Sequence, residues 1–223
     1  MKKVLVIAPH PDDETLGCGG TLLKHIESGD EVYWLIVTGI DVNSGYTSER
    51  VAERDREIAE VARLYPFRRT FSLHKPTTKL DELPFGELVQ DMAEVFRAVE
   101  PDTVYVPYRG DVHSDHKYVF DAAISCSKWF RYPFVRKVLA YETLSETEFG
   151  LNPDANGFRP NVYVNISDFM DRKWSIMQTF DSEIAEFPFP RSKVSMEALA
   201  RYRGSAAGVH AAEAFMLLKE VIQ

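Results

Sequence analysis

The sequence predicts an α/β fold with a mostly parallel sheet, and three observations carry that reading. Val4-Leu5-Val6-Ile7 is an unbroken apolar run with three β-branched residues, which suits a strand buried on both faces. Glu31-Val32-Tyr33-Trp34-Leu35-Ile36-Val37-Thr38 is a second such run, and between the two Leu16, Leu22, Leu23 and Ile26 lay out a helical face. Strand, helix, strand in that order forms one parallel unit with a right-handed crossover. Finally, clusters of His and Asp follow two of the apolar runs, at strand carboxyl ends, where open α/β sheets bind ligands.

Pro9 and Pro11 stop the first strand, since neither has an N–H to give and each restricts the residue before it. The Gly17-Cys18-Gly19-Gly20 stretch allows tight backbone packing under the turn. Its spacing is not G-x-G-x-x-G and no phosphate-loop lysine follows, which disfavours nucleotide binding there. Gly39 to Tyr46 reads as a loop at the same edge as His10. Thr47 or Ser48 caps a helix through Leu64, with Val51, Ile58, Val61 and Leu64 as its apolar stripe. Arg54 and Glu57, one turn apart on its charged side, read from spacing alone as a weak surface ion pair.

Phe71-Ser72-Leu73 is a short strand candidate, Leu83 to Val99 a helix, and Thr103 to Pro107 the next buried strand. Arg109 to His116 is the second polar cluster, followed by a helix from Lys117 to about Phe130. Val135 to Glu142 and Arg159 to Ile166 read as strands, with a surface loop at Asn152, Pro153, Asn156 and Gly157 between them. Asp168 to Thr179 and Val194 to Arg203 are helical. Glu213 to Lys219 is read as a strand because Gly204 and Gly208 precede it. Nothing resembles a linker or a repeat, so residues 1–223 are expected to form one domain.

Composition excludes several classes. A net charge of −8 from 26 basic and 34 acidic residues gives no nucleic-acid footprint. Two cysteines, Cys18 and Cys126, do not make a disulfide scaffold and are expected to stay reduced; Cys18 reads as a small apolar residue rather than a ligand. The first apolar run is too short for a signal peptide, and no stretch approaches the ~20 apolar residues of a membrane span. A soluble, cytoplasmic protein is expected, with a homo-oligomer left open.

His10, Asp12, Asp13 and Glu14 sit within five positions. Carboxylates so dense are costly to bury unless something positive lies among them, and a divalent cation is the obvious candidate. A hydrolytic zinc site takes three His and Asp or Glu ligands and keeps one position open. His10 and Asp13 are near enough to share an ion, and one histidine of the second cluster completes the set. Asp12 or Glu14 is then left as a base for water, and a second histidine, protonated, as an oxyanion stabiliser or acid. These parts suit hydrolysis of an amide or ester, and less well of a phosphoester.

Pro9-His10-Pro11-Asp12-Asp13-Glu14 resembles the (A/P)-H-P-D-D-E motif of the PIG-L/LmbE-like N-acetylglucosaminyl deacetylases, and His113-Ser114-Asp115-His116 resembles that family's H-x-D-H motif. Arg54 to Glu57, Arg203-Gly204 and Ala207-Gly208-Val209 are family-like as well. The resemblance implies a Rossmann-like doubly wound sheet with helices on both faces. It implies zinc, with iron or another divalent metal open, held by His10, Asp13 and His116. It further implies Asp12 as general base towards water at the metal, His113 as oxyanion stabiliser, and Asp115 as the residue that orients a histidine. Arg54 is similar to an arginine that holds the substrate's sugar. Some members carry a tyrosine two residues before the first histidine of H-x-D-H, where this chain has Asp111. The expected activity is removal of acetate from an N-acetylated amino sugar or glycoconjugate. The alternatives are an amidase acting on another sugar amide or conjugate, and a sugar- or metal-binding protein without catalysis.

Overall fold

The computed structural model describes residues 1–151 and 157–222. Seven strands form one sheet in the order β3-β2-β1-β4-β5-β7-β6. They are β1 (Lys3–Ala8), β2 (Glu31–Gly39), β3 (Arg69–Pro76), β4 (Thr103–Pro107), β5 (Lys137–Tyr141), β6 (Val162–Asn165) and β7 (Ala212–Glu220). The first five run parallel, whereas β7 is antiparallel to both β5 and β6. Six helices connect them: α1 (Asp13–Glu27), α2 (Ser48–Leu64), α3 (Phe85–Val99), α4 (Ser114–Ser125), α5 (Met170–Met177) and α6 (Lys193–Ala207).

The alternation of side chains along β1 divides the core into two layers. Leu5 and Ile7 pack with α3 and α4 through Leu88, Met92, Phe96 and Val119. Val4, Val6 and Ala8 pack on the opposite face with α1, α2 and α5, through Leu22, Val61 and Ile176. Each fully buried aliphatic side chain of this kind contributes roughly 1.5–3 kcal/mol. Helices on both faces explain why the parallel strands read as continuous apolar runs.

The order in which strands are added reverses between β1 and β4, which stay parallel: β2 and β3 lie on one side, β4 and β5 on the other. The crevice above this switch point is where such folds place ligands, and both His/Asp clusters open onto it. The start of α1 is drawn tightly onto β5, because Gly17 leaves room for the Tyr141 ring, which a Cβ would strike. Tyr141 in turn donates its hydroxyl to the Ile7 carbonyl at 2.8 Å. From below, Glu213 of β7 accepts the Gly20 and Thr21 N–H groups at 2.9 and 2.7 Å and pairs with Lys173 at 2.7 Å, so α1 cannot shift.

Several helix boundaries depart from the sequence expectation, most of all in α1 and α4. α1 starts at Asp13, ahead of the Leu16 that opens its expected apolar face, and α4 spans Ser114–Ser125 rather than running from Lys117 to about Phe130. In both, polar residues read as loop are the first helical turn. α4 is started by His113, which caps it, and α6 runs on to Ala207, where Gly208 ends it at φ 71°. The loop expected around Asn152, Pro153 and Asn156 lies outside the described residues. No helix among those described is long and apolar enough to cross a membrane.

Candidate active site

The turn after β1 is strained at one residue. Asp12 has φ 138° and ψ −29°, a conformation that L-residues rarely adopt and that costs about 1–3 kcal/mol. Its peptide is held on both sides. The Asp12 N–H donates to Glu14 Oε2 at 3.1 Å, and its carbonyl accepts from Thr15 and Leu16, each at 2.9 Å. Glu14 is fully buried and also accepts from the Thr15 hydroxyl at 2.7 Å. Burial pushes its carboxyl up to about 7. Asp13 and Glu14 occupy the first turn of α1, where the positive end of the helix dipole offsets part of the carboxylate crowding.

The second cluster is relaxed and self-capped. His113 has extended backbone (φ −71°) and its Nδ1 accepts the Asp115 N–H at 3.1 Å, closing the first turn of α4. That bond leaves the ring proton of the neutral imidazole on Nε2. Burial, with the neighbouring His10 charge adding to it, lowers His113 to about 4, which favours the neutral imidazole at neutral pH in the metal-free fold. Asp111 Oδ2 lies 2.8 Å from His116 Nδ1, and Asp111 Oδ1 accepts from the Thr147 hydroxyl at 2.6 Å. Asp115 crosses to the first cluster: Oδ2 is 3.1 Å from His10 Nε2 and accepts the Thr78 N–H at 2.7 Å.

Together the two clusters make a donor set. His10 Nδ1 and His116 Nε2 each lie 3.3 Å from Asp13 Oδ2. Tetrahedral N and O donors about 2.0–2.1 Å from a zinc ion stand about 3.3 Å from one another, so the spacing fits a small divalent cation. Among the described residues the buried His116 Nε2 has no hydrogen-bond partner, the condition of a donor atom kept for a ligand. His10, His113 and Asp115 form a second conceivable triad, but Asp115 already accepts from the Thr78 and Leu80 N–H groups and His113 Nδ1 from Asp115 N–H. The His10–Asp13–His116 set also fits a metal, and its buried His116 Nε2 has no hydrogen-bond partner among the described residues.

Charge inside the set is balanced by protons. Burial disfavours the His10 imidazolium, yet hydrogen bonds to Asp115 and Asp13 outweigh it and raise His10 to about 9. His116 is likewise raised against burial, chiefly by the charge of Asp13, and Asp13 is held well below the usual carboxylate range by both imidazoles. Both histidines must release protons to ligate a cation, so metal affinity rises with pH.

Asp12 lies beside this set without belonging to it. Burial and the adjacent Asp13 charge push its carboxyl up, and Arg191 opposes them from 3.2 Å. The cleft above has a volume of about 440 Å³ and is lined by His10, Asp12, His113, Tyr46, Arg54, Glu146 and Arg191 among others. Arg54 reaches it but is not a surface ion-pair residue: its side chain is 11% exposed, with Nε 3.2 Å from Glu57 and Nη1 3.2 Å from the Pro11 carbonyl. Its Nη2 is bonded to Glu183. Cys18 and Cys126 are buried and free, and Cys18 packs as the small apolar residue expected. Sequence reasoning missed Asp111, Glu183 and Arg191. Asp111 carried a local signal, a second acid in that cluster five residues before His116, whereas Arg191 is 179 positions from its partner and carried none.

Residues 5–127 match the PIG-L family, described as GlcNAc-PI de-N-acetylase. The diacetylchitobiose deacetylase of Thermococcus kodakarensis is 30% identical over 229 residues, covering 96% of this chain and 82% of that protein. A crystal structure of a conserved protein from Thermus thermophilus superimposes with a TM-score of 0.80 at 29% identity, covering 100% of this chain and 97% of that one. The N,N'-diacetylchitobiose deacetylase of Pyrococcus horikoshii, solved with an inhibitor, gives 0.78 at 25% identity and covers 98% and 84%. With both His/Asp motifs meeting at one switch point of the matching fold, the chain belongs to the PIG-L family of de-N-acetylases.

Proposed function

We propose that the protein is a zinc-dependent hydrolase that removes the acetyl group from an N-acetylated amino sugar or glycoconjugate. The observation that carries the reading is the His10–Asp13–His116 donor set, with a His116 Nε2 that has no hydrogen-bond partner among the described residues and with the Asp12 carboxylate, outside the donor set, beside it. The likeness to two diacetylchitobiose deacetylases supports the sugar substrate, and a cleft of about 440 Å³ leaves room for one. Two free cysteines support a cytoplasmic setting, and residues 1–223 act as one domain.

A divalent cation at this set supplies Lewis acidity and lowers the pKa of water towards ~7. Asp12 takes the proton from the attacking water. The His113 Nε2–H donates to the developing oxyanion as a neutral imidazole, a preorganised donor that needs no proton transfer of its own. As the amide C–N bond breaks, Asp12 returns its proton to the amine nitrogen, and acetate and the free amino sugar leave. Asp115 and Asp111 fix the two histidine rings. Arg54 borders the sugar side of the cleft and braces the Pro11 carbonyl.

Acetate release from N,N'-diacetylchitobiose and N-acetylglucosamine by zinc-loaded protein tests this. Asp12→Ala is expected to keep the metal and lose nearly all turnover. Metal lost with Asp12, or turnover kept without it, would overturn the assignment.

A further inference from the structure

We propose that Arg191 is the positioning residue of Asp12, holding its carboxylate in the one rotamer that presents Oδ1 to the attacking water. The proposal rests on the reading of Asp12 as the base. A nearly buried carboxylate on a strained residue, next to a second carboxylate, has no reason of its own to stay put. Arg191 supplies the restraint: Nη1 is 3.2 Å from Asp12 Oδ2, while among the described residues Oδ1 takes no hydrogen bond.

The arginine is itself held in a closed circuit. Its Nη2 lies 3.4 Å from Glu183 Oε2, Glu183 Oε1 bonds Arg54 Nη2, and Arg54 Nη1 donates to the Pro11 carbonyl at 3.2 Å. Pro11 is the residue before Asp12, so the circuit grips the strained peptide and its carboxylate at once. Phe189 lies under the guanidinium, 5.5 Å from ring centroid to Cζ. Arg191 Nε is buried and has no partner among the described residues. The side chain thus forgoes one hydrogen bond to keep both Nη groups on the acids, as expected of a planar fork placed for geometry. Arg191 arrives on the segment between the helical turn at Asp181–Glu183 and α6, which couples that cleft wall to the base.

The test compares wild type, Arg191→Ala, Arg191→Lys and Glu183→Gln as zinc-loaded proteins on N,N'-diacetylchitobiose. Arg191→Ala is expected to lower kcat on the order of 10²-fold with KM within about twofold and metal content unchanged. Arg191→Lys recovers part of the loss, and Glu183→Gln, one step further from Asp12, loses less. In an Asp12→Ala background, Arg191→Ala is expected to change nothing further. A raised KM at unchanged kcat would make Arg191 a substrate-binding residue and overturn the proposal, as would an additive loss in the Asp12→Ala background. A crystal structure of Arg191→Ala decides independently of activity: Asp12 is expected in more than one rotamer, and a single unchanged rotamer refutes the restraint. Wild type inactive on the sugar would instead sink the proposed substrate and leave that structural result to judge Arg191.

Discussion

The turn after β1 and the turn after β4 carry similar residues yet are built on opposite principles. Asp12, in the first, sits at φ 138° and is held by hydrogen bonds and by charges from distant segments. His113, in the second, sits at φ −71° and is held by its own helix through a cap to Asp115 N–H. The first turn stores strain and presents a base. The second is at rest and orients the rings, Asp111 for His116 and Asp115 for His10 across the crevice. Strain thus sits where a reacting group has to be aimed, and relaxed geometry where supports have to stay fixed.

The largest expected effect breaks the first turn. Asp12→Gly and Asp12→Ala should both lose activity by 10²–10⁴-fold, on the order expected for a general base. Their stabilities should invert the usual ranking. Glycine ordinarily costs about 0.5–1 kcal/mol relative to alanine. Here it relieves a conformation that alanine cannot adopt without strain, so Asp12→Gly should be the more stable by about 1 kcal/mol or more. Chemical denaturation of both variants gives the answer, and alanine equal to or above glycine would deny the strain.

An intermediate effect separates the two supports of the second turn. Asp111→Asn should weaken metal binding by about 10–100-fold with little change in unfolding midpoint. Asp115→Ala should weaken it comparably and also lower stability by roughly 1–3 kcal/mol, because the Thr78 and Leu80 N–H groups lose their acceptor. Zinc titration beside thermal unfolding distinguishes them. Equal stability losses would mean that Asp115 does no more than Asp111.

How much of this was legible depends on how local each cause is. The parallel core strands were readable because burial on both faces leaves an unbroken apolar run, and β7 because two glycines set off a short apolar segment. Boundaries within the polar motifs were not, since Asp13 and Ser114 start helices with residues that also favour loops. That His10 and Asp13 stand near a histidine of the second cluster was legible because both clusters follow neighbouring strands, while only the family resemblance pointed to His116. Arg191 was not, because its partner is brought to it only by the packing of the segment before α6. The Arg54–Glu57 pair formed as spacing suggested, but Glu183 and Pro11 bury it, which helical spacing alone cannot show.

The smallest expected effect concerns Glu14, which touches the base only through its backbone. Its carboxyl titrates near 7 in the fold against 4.5 unfolded, because burial disfavours the charge. A raised folded value means that its contribution to stability is complete below 4.5 and is lost as pH rises through 7, a change of about 3 kcal/mol across that window. Glu14→Gln keeps an oxygen for the Asp12 N–H and cannot ionise. Metal-free wild type should therefore lose stability relative to metal-free Glu14→Gln between pH 4.5 and 7, with the difference levelling off above that range. Turnover of the zinc-loaded variant should change only a few-fold, since the strained peptide keeps its acceptor. Parallel pH–stability curves would show that Glu14 does not titrate in this window, and a collapse of activity would move it from bracing the turn into the chemistry itself.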